Sequence, residues 1–291
     1  MAVLRDIKRK ITAVQKTRQI TRAMNMVAAA KFKFSLARTL NFRPYASRFM
    51  DVLSSLALRV EADAHPLLAV REPKKIGVIS MTSDRGLCGG FNANVIKATE
   101  RFMREKVREG KEVALIPLGR KGRDYFRKRT SIKNERVDIF GRFDMLLAVE
   151  ISEDIIPPFV REEYDEVYLI YNEFYSVGIQ RPTVVRMLPP PSLEQEVETA
   201  SNSRLDYIYE PSADALLEKL LPLYVHNTIY RALVETSAGE NGARMVAMDN
   251  ATKNCDEMIN NLTLKYNKAR QAAITAELMD IVGGTEALAK G

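Results

Sequence analysis

The segment from Lys75 to Leu118 decides the fold, and it reads KIGVISMTSDRGLCGGFNANVIKATERFMREKVREGKEVALIPL. Continuous apolar residues at 75–81 and 113–118 are typical of buried strands, and the residues at 92–108 have the pattern of a helix. Strands that alternate with helices in this way are typical of a sheet whose strands run mostly parallel. The segment therefore predicts an α/β fold.

Further strands and a second helix are predicted downstream of this unit. The strands are expected at 137–140, 166–171 and 183–188, and the helix at 119–129. The proline triplet at 189–191 marks the end of the last strand, and the polar stretch up to Arg204 has the composition of an exit linker. We therefore expect a Rossmann-like α/β domain over residues 73–209.

The sequence on either side of this domain predicts two long helices. Apolar residues recur at steps of three and four before residue 60 and after residue 211, which places each set on one side of a helix. The two stripes include Leu4, Ile7, Ile11, Val14, Leu216, Leu220, Leu223, Tyr230 and Val234. At 1.5 Å per residue, about 55 and about 70 helical residues extend about 80 and about 100 Å. Pro44 is expected to kink or interrupt the first helix, and Ser212 to cap the second.

A narrow apolar stripe cannot be buried by its own helix, so the two helices are expected to pair with each other. Polar residues interrupt the second stripe at Asn227, Ser237, Asn241, Arg244 and Lys265. Polar positions in such a seam commonly specify the pairing register. The predicted fold class is α/β, an antiparallel coiled coil of long N- and C-terminal helices, residues 1–60 and 211–283, with a Rossmann-like α/β domain inserted at 73–209.

The composition is that of a soluble globular protein, with 46% hydrophobic and 28% charged residues. No apolar run approaches the ~20 residues that span a bilayer, and the N-terminal sequence MAVLRDIKRK lacks the apolar core of a signal peptide. Cys88 and Cys255 are too few and too far apart for a disulfide framework. We therefore expect a protein of a reducing, cytosolic compartment.

Positive charge is concentrated in the first predicted helix. Residues 1–60 contain 13 Lys or Arg but only two acidic residues, Asp6 and Asp51, so they carry +11 in a chain of net charge +7. A basic arm of this kind favours a polyanionic partner, such as nucleic acid, an anionic membrane surface or an acidic protein. A solvated helical face is the alternative, although charges of both signs normally alternate on such a face.

A glycine-rich turn with the sequence SDRGLCGGFN follows the first strand at 83–92. A turn before a helix can bind phosphate through its N–H groups, but this one matches neither GxGxxG nor the P-loop pattern. A tight turn that needs the positive φ of glycine explains it better. Cys88 would need a base to act as a nucleophile, and the two histidines, His65 and His226, lie in no motif. We predict no catalytic residue, no cofactor and no metal site.

Two other function classes stay open at this point. The first is a nucleic-acid-binding coiled-coil protein, which the basic arm favours and which would show strongly salt-dependent binding. A basic cluster at 120–129, around Tyr125 and Phe126, fits the same hypothesis, although a solvated amphipathic helix explains it equally well. The second is a nucleotide-dependent enzyme that uses the turn at 86–90.

Several motifs resemble those of the gamma subunits of F-type ATP synthases, in order along the whole chain. Residues 17–31, TRQITRAMNMVAAAK, resemble a segment of that family's N-terminal helix, and residues 85–92 resemble its RGLCGGxN turn. The segments ARMVAM, YNKARQA and ITAEL, which begin at residues 243, 266 and 274, resemble parts of its C-terminal helix. Thr285 departs from the pattern, because the family usually has alanine after the corresponding glycine.

The resemblance implies a mechanical subunit without a catalytic site of its own. In this family the two terminal helices form an antiparallel coiled coil inside a ring of three alpha and three beta subunits, and the α/β insert docks with the epsilon subunit on the c ring. Proton flow turns the c ring and the shaft, which couples that flow to ATP synthesis or hydrolysis at the beta subunits. A peripheral location on the cytoplasmic face of the bacterial inner membrane, through the c ring alone, and no nucleic-acid partner follow from the same resemblance.

Motif matching also implies which residues contact the beta subunits. These are Met24, Arg244, Arg270, Gln271, Thr275 and Glu277. Arg9 and Lys10, in the basic arm, are expected to meet acidic loops of the beta subunits. For each residue of the C-terminal helix, simple packing between the two helices is the alternative.

Overall fold

The computed structural model describes residues 2–57, 65–141, 143–191, 210 and 212–289. Two long helices, α1 (Ala2–Ala57) and α6 (Ala213–Ala289), are the first and last elements along the chain, and all other elements lie between them in the sequence. Those elements are a 3-10 turn (Pro66–Leu68), β1 (Lys75–Met81), α2 (Phe91–Arg108), β2 (Glu112–Leu118), α3 (Arg120–Phe126), α4 (Met145–Glu153), α5 (Ile156–Val160), β3 (Glu166–Phe174) and β4 (Gln180–Leu188). The predicted α/β class is confirmed.

The predicted domain boundaries at 60, 209 and 211, and the predicted linker from 192 to 204, lie outside the described residues. The boundaries of the three domains therefore stay a prediction.

The sheet has the strand order β2-β1-β3-β4. Strands β2, β1 and β3 are parallel, and β4 runs antiparallel to β3 as the second strand of a hairpin. The mostly parallel sheet is therefore as expected. Because β1 lies between two parallel neighbours, its side chains are buried on both faces, which explains why it reads as a continuous apolar run.

The predicted strand at 137–140 is wrong. The chain there makes only isolated bridges to β2, at Ile132 and Arg136. Asp138 has a φ of 58°, which a strand does not tolerate, and its N–H donates to the carboxylate of Asp84 at 2.7 Å instead of to a neighbouring strand. The short apolar run is a turn whose backbone is satisfied by a side chain. Helices α4 and α5 were not predicted, and Asp144 caps α4 by accepting from the N–H of Leu147 at 3.2 Å.

The two faces of the sheet bury different clusters of apolar side chains. Ile76 and Val78 of β1 pack on one face with residues of α2 and α3, and Ile79 and Met81 face the other cluster. That second cluster contains residues of α1, α4, α5 and α6. The alternation of β1 side chains thus attaches the sheet to helices on both sides.

Both long helices continue past their internal prolines. Pro44 lies inside α1, so the helix is not interrupted there, and the kink expected as the alternative stays a prediction. Pro222 lies inside α6. The predicted cap of α6 is confirmed, because the Ser212 hydroxyl accepts from the N–H of Ala215 at 3.2 Å. Helix α6 ends beyond the glycine pair at 283–284, where the sequence pattern placed its end.

The chain divides into two compact units, residues 1–27 with 245–291, and residues 28–244. In the first unit, the Arg18 guanidinium contacts the Asp256 carboxylate at 2.8 Å, and the Thr21 and Thr252 hydroxyls are 2.8 Å apart. The Asn25 amide donates to the carbonyl of Met245, also at 2.8 Å. Since partner numbers fall as the α1 numbers rise, the two helix segments run antiparallel.

The same direction holds inside the second unit. The buried hydroxyls of Ser35 and Ser237 lie 2.9 Å apart, and the Thr39 hydroxyl is 3.4 Å from the carbonyl of Val234. Further along α1, Leu53 and Leu56 are fully buried in the cluster that includes α6 residues. The helix pair and the sheet therefore share one core in this unit.

We expect the substitution Leu53→Ala to lower the free energy of unfolding by about 2–5 kcal/mol, because it leaves a cavity in that shared core. Urea denaturation of the purified chain measures the change. Leu40→Ala, on the same helix at 52% exposure, is the matched control and should change stability by less than about 0.5 kcal/mol. Equal effects of the two substitutions would contradict the described packing of α1.

Candidate functional site

The glycine-rich turn after β1 is a closed network of hydrogen bonds. The Asn92 side-chain oxygen accepts from the N–H of Ser83 at 2.9 Å, and its amide nitrogen donates to the Ser83 hydroxyl at 2.8 Å. Leu87 and Gly89 have φ values of 62° and 57°. The predicted need for a positive φ at a glycine of this turn is confirmed for Gly89. Leu87 has the same backbone conformation, and it is 63% exposed.

Asp84 attaches this turn to the loop that follows α3. Its carboxylate accepts from the backbone N–H groups of Arg120 at 2.9 Å, Asp138 at 2.7 Å and Phe140 at 3.2 Å. A carboxylate that accepts several backbone hydrogen bonds holds separate chain segments together. The acidic residue of the turn therefore has a structural role that sequence reasoning did not assign.

Arg244 of α6 attaches the turn to the long helix. Its guanidinium donates to the Gly86 carbonyl from Nε at 3.3 Å and from Nη2 at 3.2 Å, and it forms an ion pair with Glu240 at 2.5 Å. Only 8% of Arg244 is exposed. Burial raises the pKa of the Glu240 carboxyl, and the neighbouring Arg244 guanidinium opposes that rise. We call Arg244, Glu240 and the carbonyl of Gly86 the Arg244 clamp.

Cys88 lies in the turn as a buried thiol. Its sulfur accepts from the Asn92 amide at 3.2 Å and lies 4.0 Å from the Ser83 hydroxyl. Burial raises the pKa of the Cys88 thiol, which keeps it protonated and a poor nucleophile. His65 uses its Nδ1 to accept from the N–H of Leu67 at 3.1 Å, which is a capping role. These contacts support the structural interpretation of the turn.

Part of the basic cluster after β2 is paired within the chain. Arg120 forms an ion pair with Asp138, and Arg123 pairs with Asp124 and with Glu135. Arg129 stacks on the Tyr125 ring, with its guanidinium carbon 4.0 Å from the ring centre. These intramolecular contacts account for much of the cluster and reduce its capacity to bind nucleic-acid phosphates.

The residues predicted to contact beta subunits fall into two groups. Arg9, Lys10, Arg270, Gln271, Thr275 and Glu277 are exposed, and Met24 is half-buried. Arg244 differs, because it is buried and its guanidinium is used by the clamp. The contacts with beta subunits stay a prediction for all of these residues.

Sequence analysis missed several residues that form hydrogen bonds between α1 and α6. Ser35, Thr39, Thr252 and Asp256 were not placed in a seam, although Ser237 and Asn241 were. A signal was present, because residues 21, 28, 35, 49 and 56 are buried and lie at multiples of seven residues from one another. This heptad spacing marks the buried side of α1 regardless of whether its members are polar.

Among the residues that the structure describes, no group of three His, Cys, Asp or Glu side chains is arranged to hold a metal ion. The helices of the described ranges also include none with the length and hydropathy of a membrane span.

Comparison with known proteins identifies the class of protein to which the chain belongs. The family model that matches residues 3–288 is described as ATP synthase. The chain is 67% identical to the ATP synthase gamma chain of Syntrophus aciditrophicus over 291 residues, covering 100% of both chains. It is 50% identical to that of Syntrophobacter fumaroxidans, again over the full length of both. The chain belongs to the ATP synthase gamma chain family.

Solved structures share the fold. A chain of the Tetrahymena thermophila mitochondrial ATP synthase central stalk/c-ring is 26% identical with a TM-score of 0.61, and the match covers 80% of this chain and 99% of that one. A chain of the Euglena gracilis mitochondrial ATP synthase in the assembly OSCP/F1/c-ring is 20% identical with a TM-score of 0.70, covering 99% and 95%.

We expect Arg244→Leu to lower the free energy of unfolding by about 3–5 kcal/mol at neutral pH, because Glu240 then stays buried without its cation. The unpaired Glu240 has a raised pKa in the folded state, so it binds a proton more tightly there than in the unfolded chain. The variant's deficit should therefore be smallest below the ordinary pKa of 4.5 and should grow as the pH rises through the folded pKa.

Urea denaturation between pH 4 and pH 8 measures this deficit. The double substitution Arg244→Leu with Glu240→Leu should recover part of it, since no buried charge is left unpaired. Lys253→Leu is the matched control, because Lys253 forms an exposed pair with Asp249 at the same spacing on the same helix and should cost at most about 1 kcal/mol. A deficit that does not vary with pH would contradict the clamp.

Proposed function

We propose that this chain is the central rotor shaft of an F-type ATP synthase. In this role it transmits rotation of a membrane c ring to three alpha and three beta subunits, and the beta subunits carry out ATP synthesis and hydrolysis. The shaft itself is a non-catalytic subunit. Membership of the gamma chain family supports this proposal, as does the match to a chain from a central stalk assembly.

The observation that carries the proposal is an unpartnered apolar surface on the unit formed by residues 1–27 and 245–291. Large apolar side chains are exposed on both of its helix segments: Ile20, Met26, Val27, Met258, Leu264, Ile274, Leu278, Met279, Ile281 and Val282. Monomeric proteins rarely expose so many large apolar residues together. A surrounding ring of partner subunits would cover both this surface and the basic residues beside it.

The distribution of polar groups suits a shaft that must present different faces in turn. The exposed side chains of the two helices differ, with Arg9 and Lys10 on α1 and Glu277 and Ile281 on α6, so the surface does not repeat with a simple symmetry. A ligand or partner shifts a conformational equilibrium only through contacts that differ between the states. An asymmetric shaft provides such differences to three otherwise equivalent catalytic sites when it rotates.

In this proposal, the predicted contact residues other than Arg244 bind the beta subunits. Arg270, Gln271, Thr275 and Glu277 lie on α6, and Met24 lies on α1. The epsilon subunit and the c ring would bind the α/β insert, and association with the cytoplasmic face of the bacterial inner membrane would follow from the c ring alone. Arg244 acts within the chain through its clamp, so its effect on beta subunits would be indirect.

Reconstitution tests the proposal. The purified chain is mixed with separately purified alpha and beta subunits, and assembly is followed by size-exclusion chromatography together with steady-state MgATP hydrolysis. We expect one copy to enter a complex with three alpha and three beta subunits and to increase the rate of hydrolysis. If the chain stays outside the complex while it binds RNA or nucleotide alone, the proposal is wrong.

We expect the paired substitution Arg9→Glu with Lys10→Glu to slow assembly about tenfold at low ionic strength and to have less effect at high salt, because exposed charges mainly steer association. Arg127→Glu with Lys128→Glu, an equal change of charge at exposed residues of the α/β insert, is the matched control. Equal slowing by both pairs, or no slowing by the first, would show that the basic arm does not meet acidic loops of the ring.

A further inference from the structure

The unit of residues 28–244 contains a cavity of about 440 Å³ between α1, α6 and the β3–β4 hairpin. Small-molecule pockets generally occupy about 300–1,000 Å³ and combine apolar walls with a few placed polar groups. The walls of this cavity include Phe42, Phe49 and Met50 of α1, Val185 of β4 and Val234 of α6. Most of its lining is therefore apolar, and two of its walls are aromatic rings.

Charged groups line one part of the cavity and neutralise each other. Glu235 has a fully buried side chain and lies 3.2 Å from Arg231 and 3.8 Å from Arg43, measured between the charged atoms. Arg231 also lies 3.6 Å from Glu173. Two carboxylates thus face two guanidinium groups. An ion that entered would find no uncompensated charge to replace its hydration, so the cavity favours an uncharged molecule.

Tyr171 supplies a free hydrogen-bonding group at the same place. It lines the cavity and is only 4% exposed. Within the described ranges, no hydrogen bond joins its hydroxyl to another residue. Burial raises the pKa of Tyr171 further above its ordinary value, with a smaller contribution from Glu235, so the hydroxyl stays protonated and available as a donor.

We propose that this cavity binds an uncharged ring compound that carries a carbonyl oxygen. The ring packs against Phe42, Phe49 and Met50, and the carbonyl accepts a hydrogen bond from the Tyr171 hydroxyl. This site lies away from the glycine-rich turn and does not depend on the proposed rotor function, since the full chain alone contains every residue that it uses.

Binding of acetophenone to the full-length chain tests the site. The chain is labelled with ¹³C at the methionine methyl groups, and the Met50 resonance, which reports from the cavity wall, is assigned through Met50→Leu. We expect acetophenone to shift the Met50 signal in a saturable manner. Ethylbenzene, which has the same ring without an acceptor, should bind about two- to tenfold more weakly, and benzoate should not compete.

Tyr171→Phe should weaken acetophenone about two- to tenfold and leave ethylbenzene unchanged. Because it removes a hydroxyl that has no partner in the described structure, it should not reduce the stability of the empty chain. Tyr168→Phe is the matched control, because this residue lies on the same strand but packs in the cluster on the opposite face, and its hydroxyl bonds to Glu166 at 2.9 Å.

Three results would overturn the proposal. The Met50 signal could stay unchanged up to the solubility limit of acetophenone. Acetophenone and ethylbenzene could bind equally in the unsubstituted chain, a comparison that does not require any variant to fold. Benzoate could bind more tightly than acetophenone, which would identify an anion site instead.

Discussion

The structure depends on the mutual burial of two helices that cannot bury their own apolar stripes. Helices α1 and α6 are too long for one small domain to cover, and their stripes are interrupted by polar groups. Those groups are acceptable in a seam only where a partner completes their hydrogen bonds, as Ser237 does for Ser35. A shift by one residue would leave buried hydroxyls unpaired, so these bonds fix the antiparallel register within each of the two units.

The α/β insert is connected to this helix pair by a core and by charged contacts, of which the Arg244 clamp is one. Leu53 and Leu56 of α1 enter the same cluster as the sheet, and the Arg244 clamp bonds α6 to the glycine-rich turn. The apolar core stabilises the contact between insert and helices, but apolar packing is non-directional. The clamp adds hydrogen bonds of defined geometry and a buried ion pair. Together they explain how the sheet domain is held in one orientation on the helix pair within the unit of residues 28–244.

Much of the fold was predictable because it rests on periodicity. The alternation of strands and helices, the two long terminal helices and the Ser212 cap all follow from local patterns that the structure retains. The strand expected at 137–140 failed because three apolar residues around Asp138 do not define a strand when an acidic side chain nearby can satisfy the backbone, as Asp84 does. Pro44 did not interrupt α1, and Pro222 likewise lies inside a continuous helix, α6.

The features of the candidate site also fall into those that the sequence predicted and those that only the structure showed. The sequence by itself determined the family, through motifs along the whole chain, and the glycine-rich turn with its positive φ, because that turn depends on residues that are close together in the chain. Only the tertiary structure decided that Arg244 is buried against Glu240 and Gly86, and that Tyr171 faces a cavity shared with Glu235 and Arg231. Gly86 and Tyr171 are separated from these α6 residues by tens of positions or more, and the burial, charge balance and bonding of both groups exist only once the helices pack on the sheet.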